Sequence, residues 1–335
     1  MRKSRTGIAS ALTLATAMGL STAAMPQDDA PATPAVSATF NSASFYTDFD
    51  QLQYGEIADV RADTKATPRD MVNAMQKARV IYISEQHDNY AAHLVQLAVI
   101  KELNKTHPGK VVIGMEMFRR SDQPELDHLK DGSLSMADLN DLFDNEWAMD
   151  WRPAYQPVLD FIHDNNIPVI GLRPTEEMER HFDRGEPDNY PDMDQNDAQH
   201  RAFNMAILKY FAGAHGHAVT DTKVLEVFYQ KQLLRDEVMG ETVANFLAAP
   251  ENKDKIMVVM AGGDHVEYGL GIPKRAARRV PHDYMSIIPV TDGINADPSI
   301  PLPMGDYAWK VPYYVLTPQP AAPAPNKKQD SQPAP

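Results

Sequence analysis

Short runs of apolar and β-branched residues recur along the chain, and they constrain its fold more than any other feature. The runs are continuous rather than alternating in polarity, which is typical of strands buried on both faces of a sheet. The segments between them show helical spacing, so strands and helices alternate. This alternation predicts an α/β fold with a central, mostly parallel sheet flanked by helices. The runs are Val80 to Ile83, Val111 to Met115, Ile167 to Leu172, Ile256 to Ala261 and Met285 to Val290.

Two longer segments interrupt this alternation and are predicted to be mainly helical. The first covers about residues 121–163 and contains the capping sequence that begins at Ser135, followed by Trp147 and Trp151. The second covers about residues 195–249 and has apolar side chains at helical spacing. We expect both insertions to form a lid over one edge of the sheet.

The two ends of the chain differ in composition from its middle. Residues 1–24 begin with basic residues, continue with an apolar stretch and end in small residues, which is the pattern of a secretory signal peptide. Residues 25–40 and 318–335 are rich in Pro and Ala and are predicted to be disordered. Residues 41–317 are predicted to form one domain. We therefore expect an exported protein that resides in the periplasm.

Composition excludes several kinds of function. The chain has no cysteine, which rules out disulfides, thiolate metal sites and a lipid anchor on cysteine. Its formal net charge is -14. Because phosphate backbones repel so acidic a protein, we expect no nucleic-acid partner.

Ionisable residues follow the predicted strands directly. Glu85 and His87 come after the first strand, Glu116 ends the second, Arg173 ends the third, and His265 follows two glycines after the fourth. In open parallel sheets, ligands bind beyond the carboxyl ends of the strands, where the loops converge on a crevice. The sequence therefore predicts a site that gathers the two glutamates and the two histidines at this edge.

Such a set of side chains supports three kinds of chemistry. Imidazole and carboxylate groups can bind a divalent metal such as zinc, manganese or iron. Without a metal, a histidine oriented by a carboxylate can act as a general base. A histidine or tyrosine can also ligate haem iron, with arginines binding the propionates. The spacing of the residues leaves all three alternatives open.

Four sequence motifs occur in a fixed order: Ile83 to Asn89, Gly114 to Phe118, Gln232 to Met239, and Ala261 to Val266. Together they resemble the ChaN-like family of haem-binding, iron-regulated proteins, within the haem-uptake and Tiki superfamily. The resemblance covers about Arg79 to Pro289. It implies a protein that binds haem as a homodimer with two cofacial haems, and that acts in iron acquisition with outer-membrane haem uptake machinery.

The resemblance also implies roles for single residues. Relatives in the superfamily include erythromycin-esterase-like hydrolases and Tiki metalloproteases, whose active positions fall on Glu85, His87, Glu116 and His265. A hydrolase, with or without a divalent metal, is therefore the alternative to a periplasmic haem-binding protein. The candidate propionate partners are Arg119, Arg120, Arg173 and Arg235. The other candidate haem contacts are His87, His93, Tyr229, Tyr268, Asp236 and Met239.

Overall fold

The computed structural model describes residues 45–147, 151–186, 188, 190–214 and 222–316. The predicted signal peptide, the linker that follows it and the tail from residue 318 lie outside these residues. Among the described helices, none is both long enough and apolar enough to cross a membrane.

The described part of the chain forms one sheet of eight strands. The strand order is β2-β1-β8-β7-β3-β6-β4-β5, and the six strands from β8 to β5 are parallel. Strands β1 and β2 add an antiparallel edge. The predicted α/β fold with a mostly parallel sheet is confirmed. The strands are β1 (Ile57–Asp59), β2 (Thr64–Ala66), β3 (Val80–Glu85), β4 (Val111–Arg119), β5 (Val169–Arg173), β6 (Ile256–Gly262), β7 (Tyr284–Val290) and β8 (Tyr307–Lys310).

Helices cover both faces of the sheet, and several begin at the capping residues that the sequence provides. Ser135 accepts a hydrogen bond from the Asp138 amide at the start of α4, and Asn89 caps α2 through the Ala91 amide. Both predicted insertions are helical, the first containing α3 to α5 and the second α7 and α8. The described helices are α1 (Pro68–Met75), α2 (Tyr90–Thr106), α3 (Gln123–Leu126), α4 (Met136–Glu146), α5 (Arg152–Asp164), α6 (Glu176–Arg184), α7 (Ala198–Ala214), α8 (Thr222–Ala248), α9 (Gly263–Val266) and α10 (Ile272–Arg279).

The sheet separates two apolar cores, which explains why its strands are apolar without alternation. Ile81 and Ile83 of β3 pack into the core that also contains residues of α2 and α5. Val80 and Tyr82 of the same strand pack into the opposite core, with residues of α8 and α10. Successive side chains of a strand point to opposite faces, so a strand buried on both sides needs apolar residues at every position.

The parallel strands bring their carboxyl ends to one edge. Glu85 pairs with Gly262 at the ends of β3 and β6, and the pairing of β4 with β6 runs as far as Met115. Glu116 is thus the first β4 residue beyond that pairing. The register between β4 and β5 shifts here, and the carbonyl of Arg119 comes so close to Gly171 that a Cβ would lie 2.1 Å from it. This bulge requires glycine at position 171.

Candidate functional site

Glu85 is the centre of the first polar network at the sheet edge. Its buried carboxylate accepts hydrogen bonds from His87 Nδ1 at 2.8 Å, from Gln96 Nε2 at 2.5 Å and from the hydroxyl of Tyr155. Burial alone would raise the pKa of the Glu85 carboxyl, but the charge of His93 and the hydrogen bond from His87 lower it overall. The carboxylate is therefore ionised and holds the His87 ring in one orientation.

His93 lies beneath this network rather than in the crevice. The residue is 1% exposed. Its Nε2 donates to the carbonyl oxygen of His87 at 3.0 Å, and its Nδ1 donates to Gln96 Oε1 at 2.8 Å. These contacts support the backbone of His87 from inside. The prediction that His93 contacts a haem is not supported, because the ring is buried and both its nitrogens are occupied.

The His87 side chain is 25% exposed and lies between two indole rings. Its ring centroid is 5.1 Å from that of Trp151, nearly parallel to it, and 5.0 Å from that of Trp147, which it meets edge-on. The guanidinium of Arg173 lies over the ring of Trp147, 5.0 Å from its centroid. Since Glu85 occupies Nδ1, Nε2 is the ring nitrogen left for an outside partner.

Carboxylates around His87 favour its charged form. Burial would lower the pKa of the imidazole, but the hydrogen bond that it donates to Glu85 and the charges of Glu116 and Asp264 raise it to about 9. At neutral pH the ring is therefore a cation when no ligand is bound. It is suited to bind an anionic group or to donate a proton.

A second network runs from the sheet edge into the helical lid. His265 donates from Nδ1 to Asp236 at 2.7 Å, and its Nε2 lies 3.3 Å from a Glu116 oxygen. The other oxygen of Asp236 accepts from His200 Nε2 at 2.7 Å. His200 Nδ1 in turn lies 3.3 Å from the hydroxyl of Tyr229. This series of contacts thus connects β4, α9, α8 and α7 through buried polar side chains.

The second network carries charge in the interior. Burial would lower the pKa of His265, but the charges of Asp264, Glu116 and Asp236 raise it well above its usual range. Burial would raise the pKa of Asp236, but the charge of His265 and the hydrogen bond from His200 lower it to about 2. A buried cation between two carboxylates needs this geometry, because an unpaired charge in the interior is costly.

The two networks meet at Gly262. Its amide donates to Glu116 at 2.8 Å. A Cβ on this glycine would lie 2.9 Å from a carboxylate oxygen of Asp264 and 3.4 Å from the His87 ring, so a larger residue here would require the Asp264 side chain to move. The structure therefore brings Glu85, His87, Glu116 and His265 to one edge, as the sequence predicts, but divides them between two networks.

This division does not support the predicted divalent metal. In residues 45–147, 151–186, 188, 190–214 and 222–316, no group of three or more His, Asp or Glu side chains is placed to hold a metal ion. Both nitrogens of His265 face carboxylates. One nitrogen of His87 is held by Glu85. Neither histidine shares an open coordination position with the two glutamates.

Four further predicted haem contacts lie in the interior. Tyr229, Asp236 and Met239 are each 0% exposed, and Tyr268 is 8% exposed. The Tyr268 hydroxyl accepts a hydrogen bond from the Asp297 amide at 2.7 Å. Their predicted role in binding haem is not supported, because none of them presents an accessible ring face or donor atom. Asp236 does belong to the site, as the partner of His265.

The predicted propionate partners bind carboxylates of the protein. Glu146 lies 2.7 Å from both Arg119 and Arg173. Glu179 lies 2.8 Å from Arg119 and 3.5 Å from Arg235. Burial and the neighbouring Arg119 lower the pKa of Arg173. Within the described residues, the Nε of Arg173 is buried and has no hydrogen-bond partner.

Three residues of the networks are absent from the sequence predictions. Gln96 lies three positions after His93 on α2, so helical spacing could have identified it. Tyr155 and His200 have no such signal, because their partners Glu85 and Asp236 are far away along the chain.

The fold and the site define a class of protein: an α/β sheet with paired histidine and carboxylate groups beyond the carboxyl ends of its central strands. Residues 71–276 match the family model described as haem-binding uptake, Tiki superfamily, ChaN. Because the match covers more than half of the chain, the chain belongs to the ChaN family. None of the curated proteins matches the chain significantly in sequence.

Solved structures resemble this fold at low sequence identity. The ChaN structure from Campylobacter jejuni, described as showing cofacial haem binding, has a TM-score of 0.63 and 17% identity, and the match covers 77% of this chain and 98% of that one. The type III effector HopBA1 has a TM-score of 0.43 and 12% identity, covering 73% and 92%. An erythromycin esterase mutant, EreC, has a TM-score of 0.40 and 13% identity, covering 70% and 77%.

Proposed function

We propose that this chain is an exported, periplasmic haem-binding protein that acts in haem and iron acquisition, with haem as its cargo. Its membership of a family described as haem-binding uptake carries the proposal. The ChaN structure from Campylobacter jejuni, which shares the fold, is described by its cofacial haem binding. The N-terminal sequence, with its basic start and apolar centre, supports export.

The residues around His87 fit a haem. Histidine is a common ligand of haem iron, and a ligating histidine usually has its other nitrogen oriented by a carboxylate or carbonyl group. Glu85 provides that orientation at Nδ1, and Nε2 would bind the iron. The indoles of Trp147 and Trp151 would contact the apolar ring. The Arg173 guanidinium, which lies over Trp147, would contribute positive charge for a propionate.

A hemin titration tests this proposal. We expect a shifted Soret band for the wild type and at least about ten-fold weaker binding for His87→Ala, a loss of roughly 1.4 kcal/mol. His163→Ala is the matched control, because that side chain is 28% exposed and lies on α5, about 18 Å along the helix from Trp151. A wild type that leaves the free-hemin spectrum unchanged would contradict haem binding. Wild-type affinity in His87→Ala would contradict this site.

We include a homodimer in the proposal, in which each copy would contribute one haem to a cofacial pair. The exposed face of α8 offers apolar surface for it. Val224, Val227 and Phe228 are 41%, 57% and 51% exposed and are spaced so as to share one face. Light scattering should show a dimer with hemin for the wild type and a monomer for Phe228→Asp. A dimer in both would contradict the use of this face.

The network around His87 supports a second candidate function, that of a metal-independent hydrolase. The observation that favours it is the orientation of His87 by Glu85, with Glu116 and His265 on the adjacent strand ends. A charged His87 can donate a proton to a leaving group. Ester and peptide substrates in the presence of a chelator test it: turnover that disappears in His87→Ala and Glu116→Gln would support an enzyme, and no turnover by the wild type would contradict it.

A further inference from the structure

Residues 311–316 leave the sheet at the edge where His87 lies. Strand β8 is parallel to β7, so it also ends at the carboxyl edge. The chain then crosses the loop between β3 and α2. The Tyr90 amide donates to the Tyr314 carbonyl at 2.8 Å, and Asn89 forms an antiparallel bridge with Val315. The last described residues of the chain are therefore paired with the loop that carries His87.

Side chains strengthen this pairing next to His87. The Tyr313 hydroxyl donates to the Asp88 carboxylate at 2.5 Å. This hydrogen bond, together with burial, raises the pKa of Tyr313 to about 12, so the hydroxyl keeps its proton. The Tyr314 ring meets Tyr90 edge-on, with 6.1 Å between centroids. Asp88 and Tyr90, one and three positions after His87, are thus both held by the same segment.

Asn89 joins the segment to the start of helix α2. Its buried Oδ1 accepts from the Ala91 amide at 3.1 Å and from the Tyr314 amide at 3.1 Å. Tyr313 and Tyr314 themselves are 55% and 54% exposed. Val311 is buried in the core at the start of the segment, but apolar burial does not account for the position of Tyr313 and Tyr314, whereas the contacts with the loop do.

We propose that residues 311–316 form a positioning strap, which holds the loop of residues 86–90 so that His87 keeps its place between Glu85 and the indole of Trp151. This proposal rests on the proposed function, in which His87 is the residue that binds the ligand. Tyr313 is a positioning residue in this arrangement, since it acts on His87 through Asp88.

The test compares two phenol–carboxylate pairs of similar exposure. Tyr313→Phe removes the hydrogen bond to Asp88, and Tyr54→Phe removes the equivalent bond to Asp292 on a residue that is 57% exposed. One readout is amide hydrogen exchange at Tyr90, which reports on the loop. The other is the NMR signal of the His87 Nδ1 proton, which reports on its hydrogen bond to Glu85 and which a loop contact of purely structural importance would not change.

We expect Tyr313→Phe to accelerate exchange at Tyr90 about two- to ten-fold, as the loss of one exposed hydrogen bond allows, and to broaden the His87 proton signal. Tyr54→Phe should leave both unchanged. Equal effects of the two variants, or faster exchange with an unchanged His87 signal, would overturn the proposal. Neither readout involves hemin, so a wild type that fails to bind hemin would refute the proposed function and leave this test intact.

Discussion

The two histidine networks at the sheet edge contain the same residue types but differ in their access to solvent. The His87 side chain is 25% exposed, whereas that of His265 is 3% exposed. In the first, one ring nitrogen is bonded to Glu85 and the other is left for a partner. In the second, both ring nitrogens face carboxylates. Under the proposed function, the first, open network binds the ligand, whereas the second, sealed network joins the helical lid to the sheet.

The largest expected effect concerns the sealed network. Asp236→Asn should lower the free energy of unfolding by about 3–5 kcal/mol, because it leaves His265 as a buried cation with one partner fewer. Glu226→Gln on the same helix is the control. Its ion pair with Arg201 is exposed, so the loss should be under about 1 kcal/mol. Urea denaturation measures the free energy of unfolding of both variants. Equal losses would contradict the conclusion that the buried pair of Asp236 and His265 stabilises the fold more than an exposed ion pair does.

The Glu85 carboxylate of the open network is buried, and Tyr155→Phe tests how much one of its hydrogen bonds contributes to stability. The variant removes a donor to the charged Glu85 carboxylate and should cost about 1.5–3 kcal/mol. Tyr82→Phe is the matched control, because the Tyr82 hydroxyl is buried without a hydrogen-bond partner among the described residues. Its removal should leave the stability unchanged or raise it. If thermal unfolding shows the same loss for both variants, the hydrogen bond from Tyr155 is not stabilising.

Acid should weaken the sealed network in a defined range. The pKa of Asp236 is about 2 in the folded protein and 3.8 in its ordinary state, so its contribution is complete above about pH 4 and is lost as the pH falls through about 2. The loss should be about 2 kcal/mol. Urea denaturation between pH 5 and pH 2 measures it against Asp236→Asn, whose acid sensitivity should be smaller by that amount. Identical pH profiles would contradict the lowered pKa.

The smallest expected effect on stability is that of His87→Ala. Glu85 keeps its hydrogen bonds from Gln96 and Tyr155, so the free energy of unfolding should fall by about 1 kcal/mol or less. Urea denaturation of His87→Ala and Asp236→Asn under the same conditions compares their losses of stability. A loss of about 3 kcal/mol or more would mean that the exposed histidine also has a structural role.

The sequence predicts the parts of this molecule that depend on local patterns. Strands β3 to β7 are continuous apolar runs, and their ends could be aligned at one edge because parallel strands share a direction. Strands β1, β2 and β8 were not predicted, since three or four residues are too few to show a period.

The division of the site into two networks could not be predicted. Helical spacing places Asp236 and Met239 on α8, but it does not show that one bonds His265 and that the other is in the core. Tyr229 has the chemistry of a haem ligand, and only the structure shows that it is buried beside His200. These contacts join residues from different helices, and their burial depends on tertiary packing.

Hemin titration of His87→Ala and Tyr229→Phe distinguishes the two networks as haem sites, because each variant alters one network and Tyr229 is also a haem ligand predicted from the sequence. If the open network is the binding site, Tyr229→Phe should bind hemin with the wild-type Soret band and affinity, whereas His87→Ala should bind at least about ten-fold more weakly. Wild-type binding by His87→Ala together with a lost Soret shift in Tyr229→Phe would contradict the account.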